Sequence, residues 1–176
     1  MNKKLGFLRR NAYKMNESTR ILYYKSLVQP HIDYCSFTFK MMDKKLLDRM
    51  GVIQNKFLRA IKLKKNKLKM ELLMKEMNIV NIDVRVTVNI LKSIKRLINN
   101  QLPKNLVDRL KFNRDVRSRN LRYGDKLAVP NYMKSLGQKS LFYSGLKNNN
   151  ELLDFVNSRS LNNSNFVKNC ILFLEN

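Results

Sequence analysis

The sequence predicts a mainly α-helical protein: a three-helix bundle, then a second small helical region with at most a short strand. Three observations carry that prediction. Apolar residues recur at helical spacing, most clearly at Leu46, Met50, Ile53, Phe57 and Ile61, which share one stripe at roughly 100° per residue. The chain is 44% hydrophobic, enough to build a core, and its 176 residues accommodate one domain or two small ones. Only the stretch 127–130 reads as extended.

Leu5, Phe7, Leu8 and Tyr13 place a first short helix, with Arg9, Arg10 and Lys14 on its wetter side. A second helix runs over about 17–28, with Ile21, Tyr24 and Val28 on one face. Asn16 is its expected cap, and Glu17 suits the positive end of the helix dipole. Pro30, which has no amide, is expected to interrupt that helix before a further helical stretch through Tyr34 and Phe37 to about Met41. Tyr23, Tyr24 and Tyr34 read as core or rim residues. Asp43 is the expected cap of a third helix, reaching about Ile61. On it, Lys45, Arg49, Lys56 and Arg59 fall together on a flank beside the apolar stripe, where they are free to face phosphates.

Residues 62–69 read as a basic, solvated linker between a bundle at 1–61 and a helical region at 70–176. That region begins with a helix over 70–77. Asn81 or Asp83 then caps another, which turns Val84, Val88, Leu91, Ile94 and Ile98 inward and Lys92, Lys95 and Arg96 outward. Pro103 ends it, and a short helix over 105–112 follows. The tract 113–125 is the most loop-like, with Arg114, Arg117, Arg119 and Arg122 close to Tyr123. Such a tract either clamps phosphates while the ring stacks on a base, or is a solvated surface loop. Ser140 opens a helix through Leu141, Phe142 and Leu146, and a last helix over 165–175 offers Phe166, Cys170, Ile171 and Leu174. The asparagines at 148–150 are brief, local low complexity.

Charge is the loudest global property: 36 Lys plus Arg against 13 Asp plus Glu gives +23. A field that positive costs stability through self-repulsion and favours a polyanion, with nucleic acid ahead of an anionic membrane surface. The abundance of Lys, Asn and Ile leaves incidental, AT-rich-genome composition as the bland alternative. Two cysteines, Cys35 and Cys170, and one histidine build neither a disulfide framework nor a zinc knuckle. An intracellular compartment, nuclear or cytoplasmic, is therefore expected. The N-terminus lacks the apolar run of a signal peptide, and no stretch approaches a membrane span.

Four segments in order carry a resemblance. Arg-Ile-Leu-Tyr-Tyr-Lys-Ser-Leu-Val-Gln-Pro-His-Ile-Asp-Tyr-Cys at 20–35 resembles the segment just beyond the catalytic palm in reverse transcriptases of non-LTR retrotransposons of the jockey and CR1 kind. Gln54, Asn55, Arg59 and Ile61 stand where that family's LDRLQ-x-x-QNRALRxI segment expects them, and Pro103 and Leu106 match its P-x-x-L. Val-Pro at 129–130 and Gly-Gln-Lys-Ser-Leu-Phe-Tyr-Ser-Gly at 137–145 are similar to its VPR … GxRSFxYRG signature. The chain departs from the pattern at Phe37-Thr38-Phe39, at Asn131 and at Lys147-Asn148-Asn149, and has no tryptophan.

The resemblance implies the thumb and post-thumb part of an RNA-directed DNA polymerase. The bundle would then be thumb-like, its partners an RNA–DNA hybrid or duplex and possibly the missing palm. Its nucleic-acid contacts would be Arg9, Arg10, Lys45, Arg49, Lys56 and Arg59, with Arg117 and Arg119 as secondary candidates. The competing reading is an inert or structural retroelement-derived protein-interaction module whose charge is incidental; a weaker one is an independent nucleic-acid-binding regulator.

Catalysis by the chain alone is not expected. Polymerases converge two or three carboxylates on magnesium, and this chain has no adjacent aspartates. Asp33 reads as structural, hydrogen-bonding the kink at Pro30. His31 and Cys35 are four apart, but no orienting group accompanies them, so a partly buried structural histidine is the expectation. No cofactor or metal is implied.

Overall fold

Leu5 and Leu8, almost one turn apart, give the first helix (α1, Asn2–Asn11) its buried edge. The computed structural model describes residues 1–42, 44–63, 70–116, 124–158 and 165–175, which are mainly α-helical and form no strand. The chain divides into two units, Met1–Val86 and Thr87–Asn176.

In the first unit, a 3-10 turn (Ala12–Lys14) leads to Asn16, whose side-chain oxygen accepts from the Thr19 amide at 2.8 Å. One of the donors left free at a helix start is thereby satisfied. The helix so capped (α2, Glu17–Tyr23) does not stop before Pro30. It widens into a π-helical turn over Tyr24–Val28 and continues as α3 (Gln29–Tyr34). The Gln29 amide donates to the Tyr24 carbonyl, five residues back. In a regular helix the Pro30 ring would collide with the carbonyl four residues earlier; widening the turn relieves that collision without breaking the run. The break comes at Cys35, and a short α4 (Ser36–Met41) follows.

The next helix (α5, Lys44–Lys62) buries Gln54, Phe57, Leu58 and Ile61. The expected stripe is thus buried in its second half, with Ile53 partly covered, whereas Leu46 is 44% exposed. Asp43 lies outside the described residues. Leu5, Leu8, Tyr24, Val28, Phe57, Leu58 and Ile61 share one core, in which the Phe57 ring meets Tyr24 at an angle of 61° with centroids 5.7 Å apart. Each such aliphatic or aromatic side chain contributes about 1.5–3 kcal/mol when fully removed from water. Tyr34, expected in the core or at its rim, is 90% exposed.

This core does not end at Ile61. Leu73 of α6 (Met70–Glu76), then Met77 and Ile79, complete it. Asn78, with a φ of 49°, ends α6: its amide donates to Lys75 and that of Ile79 to Met74, the pairing that closes a helix through a left-handed residue. Lys62, assigned from sequence to the linker, is instead the last residue of α5. Residues 64–69 lie outside the described set.

Gln54 ties these helices together from inside. Its Nε2 donates to the Tyr24 hydroxyl (3.1 Å) and the Val80 carbonyl (2.9 Å), and its Oε1 accepts from the Ile82 amide (3.2 Å). Ile82 opens α7 (Ile82–Ile98), so a side chain 28 residues away satisfies a first-turn donor of that helix. Asn81 caps the same end by accepting from the Asp83 amide. Asp33 is structural through α7: it accepts two hydrogen bonds from Arg85, at 2.6 and 2.7 Å.

In the second unit, Ile94 and Leu97 of α7 form a core with Leu127 and Leu146. Ile98, expected inward, is exposed, and Asn100 (φ 54°) ends the helix as Asn78 ends α6. Two short helices follow, α8 (Lys104–Val107) and α9 (Asn113–Val116); the latter occupies the start of the tract read as an Arg-rich loop at 113–125. The expected strand at 127–130 is a single antiparallel bridge between Leu127 and Phe112. Asn150 stands in for a neighbouring strand there, since its amide both accepts from the Leu127 N–H (3.1 Å) and donates to its carbonyl (2.9 Å). Residues Ser135–Gln138 (α10), a π-helical turn at Leu141–Gly145, then α11 (Leu146–Ser158) and α12 (Phe166–Glu175) complete the unit. At Gly145 a Cβ would come within 3.1–3.2 Å of Ile90 and Ile94, so glycine permits this close approach.

The Gln54 node makes a direct prediction. Gln54→Leu keeps the bulk but leaves the Val80 carbonyl and the Ile82 amide without a partner, and should lower unfolding free energy by about 1–3 kcal/mol. Tyr24→Phe, which removes one hydroxyl, should cost less. Denaturant titration followed by circular dichroism measures both, and an unchanged midpoint for Gln54→Leu would exclude a stabilising role.

Candidate nucleic-acid interface

The long helix α5 has two opposite faces. At about 100° per residue, Lys45, Arg49, Lys56 and Arg59 fall within one arc, while Gln54, Phe57, Leu58 and Ile61 centre on the other side. The second set is buried and the first is exposed. None of the four cations is ion-paired with a described acid. With a rise of 1.5 Å per residue, the stripe runs about 21 Å. That is roughly six phosphate steps along one strand of a duplex.

Arg9 and Arg10 are exposed in the last turn of α1, a helix of the same unit that packs on α5. Cations there also complement the negative end of the helix dipole. Arg117 and Arg119, with Arg122 and Tyr123, lie outside the described residues. Their neighbour Arg114 is engaged locally: it pairs with Asp125 at 3.3 Å and Asp115 at 3.8 Å, and covers the Phe112 ring at 5.0 Å.

Several side chains gain roles that the sequence reading did not assign. Lys62 reaches both Glu17 of α2 and Glu76 of α6, each at 2.8 Å. The Lys4 ammonium donates to the Leu27 carbonyl and to His31 Nε2, tying α1 to the π-helical turn and α3. His31 is therefore a structural acceptor, but it is exposed rather than partly buried. The signal for Gln54 was present as a polar residue inside an apolar arc. For Arg85, 52 residues from its partner Asp33, no local pattern gives the pairing.

Among the described residues, no three His, Cys, Asp or Glu side chains converge to hold a metal ion. Burial pushes the Cys170 thiol up to about 11, against the opposing pull of Lys92 and Lys95, so at neutral pH it packs as an apolar thiol. No described helix is long and apolar enough to cross a membrane. No family model, curated protein or solved structure matches the chain.

The Lys62 bridge has a pH signature. Hydrogen bonds to Glu17 and then Glu76 hold its ammonium above the ordinary lysine value of 10.5. A raised folded value means stability that is fully present below 10.5 and is lost as pH rises through the folded value. The stability gap between wild type and Lys62→Met should therefore shrink between neutral pH and roughly pH 11. Paired denaturation curves read this, and a gap that stays constant or widens would exclude the bridge as its source.

Proposed function

We propose that this chain grips a template–primer duplex by its phosphate backbone, as the thumb and post-thumb part of a non-LTR retrotransposon reverse transcriptase. The observation that carries this reading is the α5 stripe, four exposed cations opposite the buried face of one rigid helix. Cations on a regular element meet phosphates at fixed intervals and read no sequence, which suits a surface that must accept any template. The net charge of +23 supports a polyanionic partner, and the family resemblance of four ordered segments supports the retroelement origin. In this reading the catalytic carboxylates belong to a palm outside this chain, and the chain alone does not extend a primer. Its setting is intracellular.

Binding of an RNA–DNA hybrid, duplex DNA and single strands across a salt series tests the reading. Log K is expected to fall with log salt at roughly 0.9 per neutralised phosphate on B-form DNA, with hybrid bound at least as tightly as the other forms. Weak binding to every form near physiological salt would make the charge incidental. Reversing Lys45, Arg49, Lys56 and Arg59 to glutamate should weaken hybrid binding and flatten the slope by about three to four charges' worth. An unchanged slope would remove α5 from the interface. Primer extension above background by the purified chain would contradict the division of labour between palm and thumb.

A further inference from the structure

Phe7 is an aromatic residue held rigidly yet left in the open. Its ring stacks on Tyr23 with centroids 5.6 Å apart and planes 15° from parallel, and it is nevertheless 45% exposed. Tyr23 is fixed from behind, because its hydroxyl donates to the Lys4 carbonyl at 3.2 Å. The Lys4 side chain reaches on to Leu27 and His31, so the two helices bearing the rings are joined by more than the stack. Cations flank Phe7 on its own helix. Lys3 lies one turn before it and Arg10 one turn after, both exposed. The Arg10 guanidinium folds back beside Gly6, within 3.7 Å of where a Cβ there would sit.

We infer that the Phe7–Tyr23 pair is a stacking platform for one unpaired base of a nucleic acid, with Lys3 and Arg10 on the phosphates either side of it. The inference rests on the nucleic-acid reading above and adds a ligand class to it. Bases inside a duplex already stack on their neighbours and offer no free face, whereas an unpaired base offers one to any exposed ring, whatever its sequence. A ring preordered by a second aromatic and a hydroxyl anchor loses little freedom on accepting that base. The flanking cations favour a nucleotide over a neutral apolar partner by charge complementarity. The platform thus takes single-stranded template beside the duplex held on α5.

The test compares a blunt RNA–DNA hybrid with the same hybrid carrying a short single-stranded overhang, by fluorescence anisotropy. Wild type should prefer the overhang, and Phe7→Leu should weaken overhang binding by ~5- to 100-fold while leaving blunt-hybrid affinity unchanged. Phe7→Tyr, which keeps a stacking ring, should retain the preference. A 2-aminopurine base in the overhang should be quenched on binding wild type, a readout that needs no variant. Equal weakening of both probes by Phe7→Leu, no weakening of either, loss of the preference in Phe7→Tyr, or absence of quenching would each overturn the platform. Wild type that binds blunt hybrid with a steep salt slope but gains nothing from the overhang sinks this inference and leaves the duplex reading standing. Wild type that binds neither probe removes both.

Discussion

A single buried amide sets the first unit. Gln54 lies in the apolar arc of α5, where a polar side chain without partners would cost several kcal/mol at the upper end of the usual range. It meets the Tyr24 hydroxyl, the Val80 carbonyl and the Ile82 amide instead, so its burial requires that three separated segments be in place together. Apolar packing alone tolerates sliding and repacking; a hydrogen-bonded amide has one geometry that satisfies it. The chain between α6 and α7 is drawn to the core by that requirement, which is why the unit extends to Val86 rather than ending with α5.

The scarce acids complement this arrangement. Asp33 holds Arg85, Glu17 and Glu76 hold Lys62, Asp154 holds Lys126, and Asp115 and Asp125 hold Arg114. These pairs are partly exposed, and each is worth little by itself. Their distribution matters more: these six acids tie cations elsewhere, and none of them pairs with Lys45, Arg49, Lys56 or Arg59. A chain of net charge +23 stays compact against self-repulsion through its cores, and a bound polyanion would relieve it.

Helix positions were legible because they follow from period and capping. Asn16, Asn81 and the 3.6-residue spacing of Phe57 and Ile61 are local signals, and the structure bears them out. What the sequence hid is non-local or depends on a trade between two local rules. Pro30 reads as a break because a proline excludes a regular helix, and nothing in the spacing announces that a wider turn accommodates it. The strand expected at 127–130 has the right residues but finds a side-chain amide where a second strand would be. Asn150, which supplies that amide, sits in a run of asparagines that composition alone reads as filler. Exposure of the α5 cations follows from the same periodicity that buries Phe57; whether they meet phosphate does not.

The π-helical turn has a consequence for insertions and deletions. A wide turn holds about one residue more than the α-helical turn it replaces, so it resets the angular phase of everything after it. Asp33 faces Arg85 in that reset phase. Losing one residue between Tyr24 and Val28 would rotate α3 by about 100° and carry Asp33 away from its partner. The proline guards the same phase, since a regular turn at that point brings its ring against a carbonyl. Length in this short stretch is therefore constrained more tightly than side-chain identity, and a frame-preserving deletion there would do more harm than most substitutions.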